Sequence, residues 1–289
     1  MSTATAIDPQ QLIQQAIKKV TAIATLPEIT AKIIKTVEDP RSTAAALHKI
    51  VSHDPALVTR ILKVVNSAFY GLPGQIASIE RAIVLLGLNA IKNIAVAASL
   101  GQLFRGVNLC EGFTAKDLWT HCIGVGVVAR ELAKQGKLPL ADEAFLAGMI
   151  HDIGLLVSLQ TCPEKLREVC ERSKTDERPF WEIERELIGV DHQQLGAGLA
   201  EAWKFPRSCQ LVAGYHHQPT VLNTDRVLTC LVYVADTLCA QHANGFNLTA
   251  MRQAIDGNVL AELKLDSVII EQFKPTIPTL IADASGLFG

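Results

Sequence analysis

Histidine and aspartate side chains, which are typical metal ligands, recur in the second half of the chain. Five of the eight histidines lie between residues 121 and 217: His121, His151, His192, His216 and His217. Asp152 directly follows His151 in the segment MIHDIG, and Asp236 lies inside the apolar segment TCLVYVADTLCA. A carboxylate in such a setting is costly to bury unless it is paired, hydrogen-bonded or bound to a metal. A shared metal site is therefore the main chemical hypothesis.

The donor atoms restrict which metal such a site would hold. Imidazole nitrogen together with carboxylate oxygen suits Fe, Mn, Zn, Co or Ni better than a site built from thiolates would. Neighbouring side chains on a helix point about 100° apart, so His151 and Asp152 can reach one ion only where their helix faces a crevice. Gly148 and Gly154 flank this pair, and glycines there would let neighbouring helices approach closely.

A purely structural interpretation stays open for each of these residues. A single buried histidine is more often a hydrogen-bonded core residue than a ligand. Asp152 or Asp236 alone could cap a helix or pair with an arginine, and the pair His216–His217 could complement the dipole of a helix C-terminus. Three further histidines, His48, His53 and His242, are interpreted in this structural way.

The elements that would position these residues are predicted to be helices. Apolar residues recur at three- and four-residue spacings along nearly the whole chain, and no segment alternates long enough to predict a strand. Thr114 with Asp117 resembles a capping box that starts a helix, which runs to about Gln135. Further helices are predicted at about 142–160, 191–203, 206–216 and 224–240. Ligands drawn from several helices are a common way to build a metal site in a helical core.

Composition excludes two classes of protein. The 289 residues include 27 Lys and Arg against 29 Asp and Glu, a formal net charge of −2, and 49% of the residues are apolar. A disordered chain would be poorer in apolar residues, and a strongly basic nucleic-acid-binding domain would carry a large positive excess. We therefore expect a folded chain with a thick core and no nucleic-acid partner.

Cysteine use and targeting signals predict a cytoplasmic protein without a membrane partner. Seven cysteines without a C-x-x-C pair are typical of small buried hydrophobic residues in a reducing cytosol. The segment MSTATAIDPQ lacks the basic and apolar regions of a secretion signal. The most apolar stretch, Ala82 to Phe104, contains Asn89, Lys92 and Asn93, so no membrane-spanning helix is expected.

The order of the histidines and aspartates resembles the metal-dependent phosphohydrolases of the HD superfamily. The closest resemblance is to the HDOD branch, the HD-related output domains of bacterial signalling proteins. The stretches that carry it are LPEITAKIIKTVEDP, LHKIVSHDPALVTRILKVVNSAFYG, SIERAIVLLGLNAIKNIAV, FLAGMIHDIGLLV, DHQQLGAGLAEAWKFP and YHHQP. One such motif is weakly specific, whereas six in this order are specific for the branch.

The resemblance implies an all-α fold of two lobes, the second of them HD-domain-like. The helical pattern of the sequence predicts the same two lobes, with the first ending near residue 110. We expect a lead-in helix at residues 1–21 and an HDOD domain at 22–222. Residues 223–289 would form helices that complete the HD-like lobe.

The resemblance also implies a set of metal ligands. In catalytic members with this pattern, the first metal would be held by His121, His151, Asp152 and Asp236. A second would be held by His192 with His216 or His217, and Asp152 would bridge the two ions. Asp117, one turn before His121, is a further candidate ligand.

Two departures from catalytic relatives weaken the case for an enzyme. Phosphodiesterases of the HD-GYP type carry a lysine after HDIG and a DGxGYP motif after the paired histidines, whereas this chain has Leu155 and QPTVLNTD. A lysine there would support charge on a phosphate.

We therefore expect a non-catalytic signal-transduction output module that acts through protein contacts and holds a mono- or dinuclear transition-metal site. The expected partners are signalling proteins, namely GGDEF or EAL proteins or two-component proteins, and a homodimer would suit the high apolar content. The alternative, supported by the complete ligand set, is a metal-dependent phosphohydrolase acting on a nucleotide or cyclic nucleotide.

Overall fold

The computed structural model describes residues 8–23, 28–38, 41–104, 108–242 and 245–288. In the N-terminal lobe the helices are α1 (Pro9–Ile23), α2 (Glu28–Glu38), α3 (Ala44–Val51), α4 (Pro55–Val65), α5 (Ile79–Leu86) and α6 (Leu88–Leu100), and a 3₁₀ turn follows at Gly101–Phe104. A short antiparallel hairpin, β1 (Asn108–Cys110) and β2 (Phe113–Thr114), leads into the second lobe.

The second lobe contains the longest helix that the structure describes, of 21 residues. Its helices are α7 (Ala115–Gln135), α8 (Ala141–Ile150), α9 (Gly154–Thr161), α10 (Pro163–Ser173), α11 (Phe180–Leu187), α12 (His192–Ala202), α13 (Arg207–Tyr215) and α14 (Val227–Gln241). The last three are α15 (Gly257–Glu262), α16 (Ser267–Phe273) and α17 (Ile277–Phe288), with 3₁₀ turns at Pro219–Val221 and Lys274–Thr276.

The all-α fold class predicted from the sequence is confirmed, with two local differences. The helix predicted at about 142–160 is two helices, because a turn at residues 151–153 separates α8 from α9. The hairpin was not predicted because its strands, of three and two residues, are too short to show alternation.

The two lobes share one hydrophobic core. Helix α2 packs against α6, α6 packs against α8, and α17 returns to contact both α4 and α7. Helix α1 packs on α9 and α12, and it ends at Ile23, just beyond the predicted boundary at residue 21. The domain boundaries stay a prediction, since nothing in this continuous packing divides the chain.

One stretch is long and apolar enough to cross a membrane by length and composition alone. This stretch is Ala141–Thr161, which contains α8 and α9, and 89% of its most apolar window is buried inside the protein. Such burial is typical of the core helices of a globular fold, and both helices pack against other helices of the second lobe.

Candidate metal centre

Five segments bring the seven candidate ligands together in the core of the second lobe. His121 lies on α7, His151 and Asp152 in the turn between α8 and α9, and Asp236 on α14. His192 is the first residue of α12, and His216 and His217 follow α13 directly. All of these side chains are buried, and only that of His217 retains measurable exposure, at 1%.

The turn after α8 aims two neighbouring side chains into the same site. The amide of Ile153 donates to Ile150 O at 3.1 Å and that of Leu155 to Asp152 O at 3.0 Å, so the local bonds span three residues rather than four. His151 Nδ1 donates to Gly148 O at 2.7 Å, which directs Nε2 into the site. Adjacent residues of a continuous helix would point apart, but the break in the helix lets both side chains point into the site.

Glycines let the helices around the site touch backbone to backbone. A Cβ on Gly148 would lie 2.7 Å from Gly126 Cα on α7. A Cβ on Gly154 would lie 1.9 Å from His192 O and 2.7 Å from Gly196 N, both on α12. Any larger side chain at these positions would push apart the helices that carry His121, His151 and His192.

The start of α12 is fixed by a capping box. The Asp191 side chain accepts from the amide of Gln194 at 2.8 Å, and the Gln194 side chain accepts from the amide of Asp191 at 3.1 Å. This pairing satisfies amides that a helix N-terminus leaves free. It also sets the position of His192, the next residue.

One group of ligand atoms comes from α7, the turn and α14. His121 Nε2 lies 3.0 Å from Asp236 Oδ1, and His151 Nε2 lies 3.7 Å from the same oxygen. Asp152 Oδ2 lies 3.4 Å from His151 Nε2 and 3.9 Å from His121 Nε2. Ligand atoms of His121, His151 and Asp236 all lie within 4.8 Å of one another, close enough to hold one metal ion.

The second group joins α12, the end of α13 and the other oxygen of Asp152. His192 Nε2 lies 3.0 Å from His217 Nε2 and 3.4 Å from His216 Nε2. Asp152 Oδ1 lies 3.4 Å from His192 Nε2 and 3.3 Å from His216 Nε2. The carboxylate of Asp152 therefore presents one oxygen to each group, as a ligand shared between two ions would.

Residues outside the predicted set fix the tautomers of the second group. His192 Nδ1 and its backbone amide both donate to Glu184 Oε2, and His217 Nδ1 donates to Gln253 Oε1 at 2.9 Å. His216 Nδ1 donates to the carbonyls of Val212 and Ala213, at 3.1 and 3.2 Å. Because Nδ1 donates in each case, Nε2 is the nitrogen that faces the site and would bind a metal ion after losing any proton it carries.

Glu184 and Gln253 were missed by sequence analysis, although Glu184 left a signal. It shares a helical face with Phe180 and Ile183, which are buried, so an acid interrupts an otherwise apolar stripe. Gln253 lies outside any helix, in the segment after α14, and gave no such pattern. The hydroxyl of Thr249 also reaches the site, 3.4 Å from Asp152 Oδ2.

The site concentrates buried charge around two carboxylates. Burial raises the pKa of Asp152 and Asp236, but the neighbouring histidines outweigh it, so both pKa values lie well below the usual range. Burial lowers the pKa of His151, whereas the two carboxylates outweigh burial and raise that pKa to about 10. The two aspartates are therefore ionised at neutral pH and attract any cation that enters.

The pKa values of the histidines in the second group depend on burial and on the carboxylates around them. Burial lowers the pKa of His192, but Glu184 and Asp152 raise it overall to about 9. Burial lowers the pKa of His216 and His217, so these two imidazoles are neutral at pH 7. Neutral imidazoles are the form that binds metal ions.

Unpaired atoms show that the residues present fit a metal ion. Buried atoms without a hydrogen-bond partner include His151 Nε2, Asp152 Oδ1 and Asp236 Oδ2, all of which face the site. Buried polar atoms normally have partners. A proton on His192 Nε2 can be donated to only one of the neighbouring nitrogen and oxygen atoms at a time. A metal ion would instead bind several of these converging atoms at once.

The remaining candidates lie elsewhere. Asp117 is not part of the cluster, because its carboxylate accepts from the amide and hydroxyl of Thr114, at 2.7 and 2.6 Å, and so completes the capping box of α7. His48 pairs with Glu80 at 2.9 Å, and His242 Nδ1 donates to Leu238 O at 2.8 Å. These contacts agree with the structural interpretation that the sequence suggested for the isolated histidines.

A cavity of about 230 Å³ lies beside the cluster and includes His217, Thr249 and Gln253 in its lining. Arg178 and Arg252 also line it. Arg178 is engaged by the carboxylates of Asp176 and Glu186, both at 2.8 Å, and Arg252 donates to the carbonyls of Ser173 and Lys174 at 2.7 and 3.1 Å. Both guanidinium groups thus already have partners in the chain.

One family of known proteins matches most of the chain. The family model of the HDOD domain matches residues 23–219. A protein of Treponema pallidum (strain Nichols), described as uncharacterised, is 28% identical over 196 residues, which make up 68% of this chain and 37% of that protein. The chain thus spans little more than a third of that relative's length.

Solved structures show the same fold. An HDOD domain protein of unknown function from Geobacter sulfurreducens has a TM-score of 0.79 at 20% identity, covering 97% of this chain and 99% of that one. A protein of Shewanella amazonensis SB2B, provisionally named a phosphohydrolase, has a TM-score of 0.76 at 24% identity, covering 96% and 98% of the two chains. At these identities the likeness concerns the fold alone.

Proposed function

The chain belongs to the HDOD domain family, and on that premise we propose that it is a non-catalytic output module of bacterial signal transduction that holds one or two transition-metal ions. The ions are held by His121, His151, Asp152 and Asp236 on one side and by His192, His216 and His217 on the other, with Asp152 shared. Bound there, a metal ion ties together α7, α12, α13, α14 and the turn between α8 and α9.

The observation that carries this proposal is a complete ligand set that is closed to solvent. Six of the seven side chains have no exposed surface, and that of His217 is 1% exposed. A catalytic metal site keeps a position open for water or substrate, whereas a structural site is closed by protein ligands. The closed site therefore supports a metal that stabilises the module rather than one that turns over substrate.

The surroundings of the site support the same conclusion. Leu155 occupies the position where HD-GYP enzymes carry lysine, and its side chain is fully buried in the core. The two arginines that line the cavity beside the cluster are held by acidic side chains or by carbonyls of the chain. Within the described residues around this cavity, we find no uncommitted cation to receive a phosphate.

The module would act through contacts with other signalling proteins, such as GGDEF or EAL proteins or two-component proteins, in the cytoplasm. The free cysteines of the chain suit a reducing compartment. Affinity capture with the tagged full chain from cells, followed by mass spectrometry, tests this part. Recovery of no signalling protein under any condition would contradict it.

The metal assignment is tested by elemental analysis of the purified protein and of His151→Ala. We expect the wild type to carry metal and the variant to lose most of it, because His151 contributes a ligand that faces both aspartates. His48→Ala is the matched control, since His48 is partly exposed and lies outside the cluster. Equal metal in His151→Ala and His48→Ala would contradict the site.

A phosphohydrolase is the second candidate function, and the cavity beside His217, Thr249 and Gln253 is the observation that favours it. A bound pair of metal ions supplies Lewis acidity and an activated water to phosphate chemistry. The chain's own residues would position the substrate, with Thr249 and Gln253 presenting polar groups to the cavity. Turnover of cyclic dinucleotides, cyclic mononucleotides or nucleotides by the Mn- or Fe-loaded protein would favour this candidate, and the absence of turnover across that set would reject it.

A further inference from the structure

A second concave site lies where the two lobes meet, away from the metal ligands. It is a groove of about 600 Å³ between α4, the end of α6 with its 3₁₀ turn, α7 and α17. We call this the interlobe groove and define it by its lining residues, among them Arg60, Lys63, Lys116, Trp119 and Ser285. Its volume is in the range of sites that bind small molecules.

The interlobe groove is strongly positive in a chain that is slightly acidic overall. Arg60, Lys63 and Lys116 line it, and none of the lining residues that the structure describes is acidic. The chain as a whole carries a net charge of −2. Such a concentration of one sign along a concave surface attracts ligands of the opposite sign.

Two polar groups in the groove lack partners. Arg60 makes no hydrogen bond or ion pair with any residue that the structure describes, and its Nε is buried. Among the described residues, Ser285 Oγ on α17 is also buried without a partner. Because buried polar groups are normally satisfied, these two atoms indicate a ligand that accepts hydrogen bonds.

The third cation has a partial role in the fold, which leaves the other two available. Lys63 Nζ donates to Gly286 O at 2.6 Å, so it holds the last turn of α17 against α4. Lys116 is exposed and makes no ion pair within the described part of the chain. Arg60 and Lys116 are therefore the two cations of the groove that have no ion-pair partner among the described residues.

The remainder of the groove is apolar. Phe104 and Trp119 stack with ring centroids 4.7 Å apart, and Ile123 and Phe288 lie beside them. Trp119 Nε1 donates to Phe288 O at 3.0 Å, which fixes the end of α17 against this floor. A ligand that fits needs an anionic group for the cations and an apolar or planar part for the floor.

We propose that the interlobe groove binds a phosphate-bearing small molecule. Arg60 contacts the phosphate through its planar guanidinium, which suits phosphate oxygens in pairs, and Lys116 adds charge from α7. Ser285 donates its hydroxyl from α17. The site is independent of the proposed metal function, although α7 carries both His121 and groove residues.

Isothermal titration calorimetry on the metal-loaded full chain tests the proposal, with adenosine monophosphate and inorganic pyrophosphate as probes and adenosine as the uncharged comparator. We expect adenosine monophosphate to bind more tightly than adenosine. Arg60→Gln should weaken binding of both anionic probes about tenfold, the usual worth of one charge-assisted contact. Lys116→Gln should weaken binding in the same direction.

Two further variants distinguish binding in the groove from binding at the metal centre or at scattered surface cations. Arg81→Gln removes the same charge from an exposed position on α5 outside the groove and should leave binding unchanged. His151→Ala should also bind both anionic probes as the wild type does. The proposal is overturned if neither anionic probe binds, if adenosine binds as well as its monophosphate, if Arg60→Gln and Arg81→Gln lose equally, or if only His151→Ala loses binding.

Discussion

At the scale of single residues, a hydrogen bond at one ring nitrogen of a histidine decides whether the other nitrogen can bind a metal ion. His151, His192, His216 and His217 each direct Nδ1 at an oxygen, and each Nε2 consequently points into the cluster. For three of these histidines the acceptors belong to the backbone or to an uncharged amide, but His192 donates to the carboxylate of Glu184. Glu184 is therefore the supporting group with the greatest electrostatic effect on its histidine.

Glu184→Gln should weaken metal binding at the second group of ligands. The amide keeps the shape of the side chain but removes the charge that favours His192 Nδ1–H, so metal affinity there should fall roughly 10- to 100-fold. Metal content measured across a series of free-metal concentrations gives this shift. The first group, with His121 and Asp236, should keep its affinity.

Glu186→Gln is the matched control for this prediction, because Glu186 lies on the same helix but is exposed and pairs with Arg172 and Arg178. We expect its metal content to equal that of the wild type. If both variants bound metal as the wild type does, Glu184 would have no part in holding His192 for a metal.

At the scale of elements, the turn after α8 and the glycine contacts place the ligands. Periodicity predicted the helices well, since it depends on which residues face a core. It predicted one continuous helix over 142–160 because apolar residues continue on both sides of the three turn residues and no proline marks a break. Sequence spacing therefore located His151 and Asp152 correctly but could not show the break that aims both inward.

For the candidate site, the sequence predicted which residues take part but not how they contact one another. Residue types and the order of motifs identified all seven side chains that converge, because histidine and aspartate are rare in apolar helices. Spacing alone could not show that Asp152 faces both groups or that Gln253 supports His217. Those contacts depend on how distant helices pack, and local patterns carry no record of that packing.

Gly154→Ala should separate α9 from α12. A Cβ at this position would lie 1.9 Å from His192 O, and because backbone atoms cannot rotate away, the helices must move. We expect the free energy of unfolding to fall by about 3 kcal/mol, the upper range for overpacking a core, with loss of metal from the second group. Urea denaturation and metal analysis measure the two effects.

Gly257→Ala is the control for this substitution, since a Cβ on Gly257 has nothing within 4 Å. Its unfolding free energy should stay within about 0.5 kcal/mol of the wild type, as for most surface changes. Equal stability of Gly154→Ala and Gly257→Ala would mean that α9 and α12 are not in backbone contact.

At the scale of the whole molecule, the proposed metal centre and the hydrophobic core have complementary roles. The core runs through both lobes and includes residues of most helices. The cluster instead gathers polar side chains from five segments of the second lobe, and burying these charged and polar groups away from water is costly. A bound ion that coordinates them would offset part of this cost and so contribute to the stability of the entire fold.

Removal of the metal should therefore destabilise the whole protein. A ligand that binds only the folded state adds about 2.7 kcal/mol when its free concentration is one hundred times Kd. For a chain of this size that corresponds to a fall in Tm of roughly 4 to 5 °C on chelation. Differential scanning calorimetry with and without a chelator measures it, and restoring Mn, Fe or Zn should restore Tm.

His151→Ala, already depleted of metal, should respond little to the chelator. If wild-type protein that had demonstrably lost its metal kept the same Tm, the ion would not be a stabilising part of this fold.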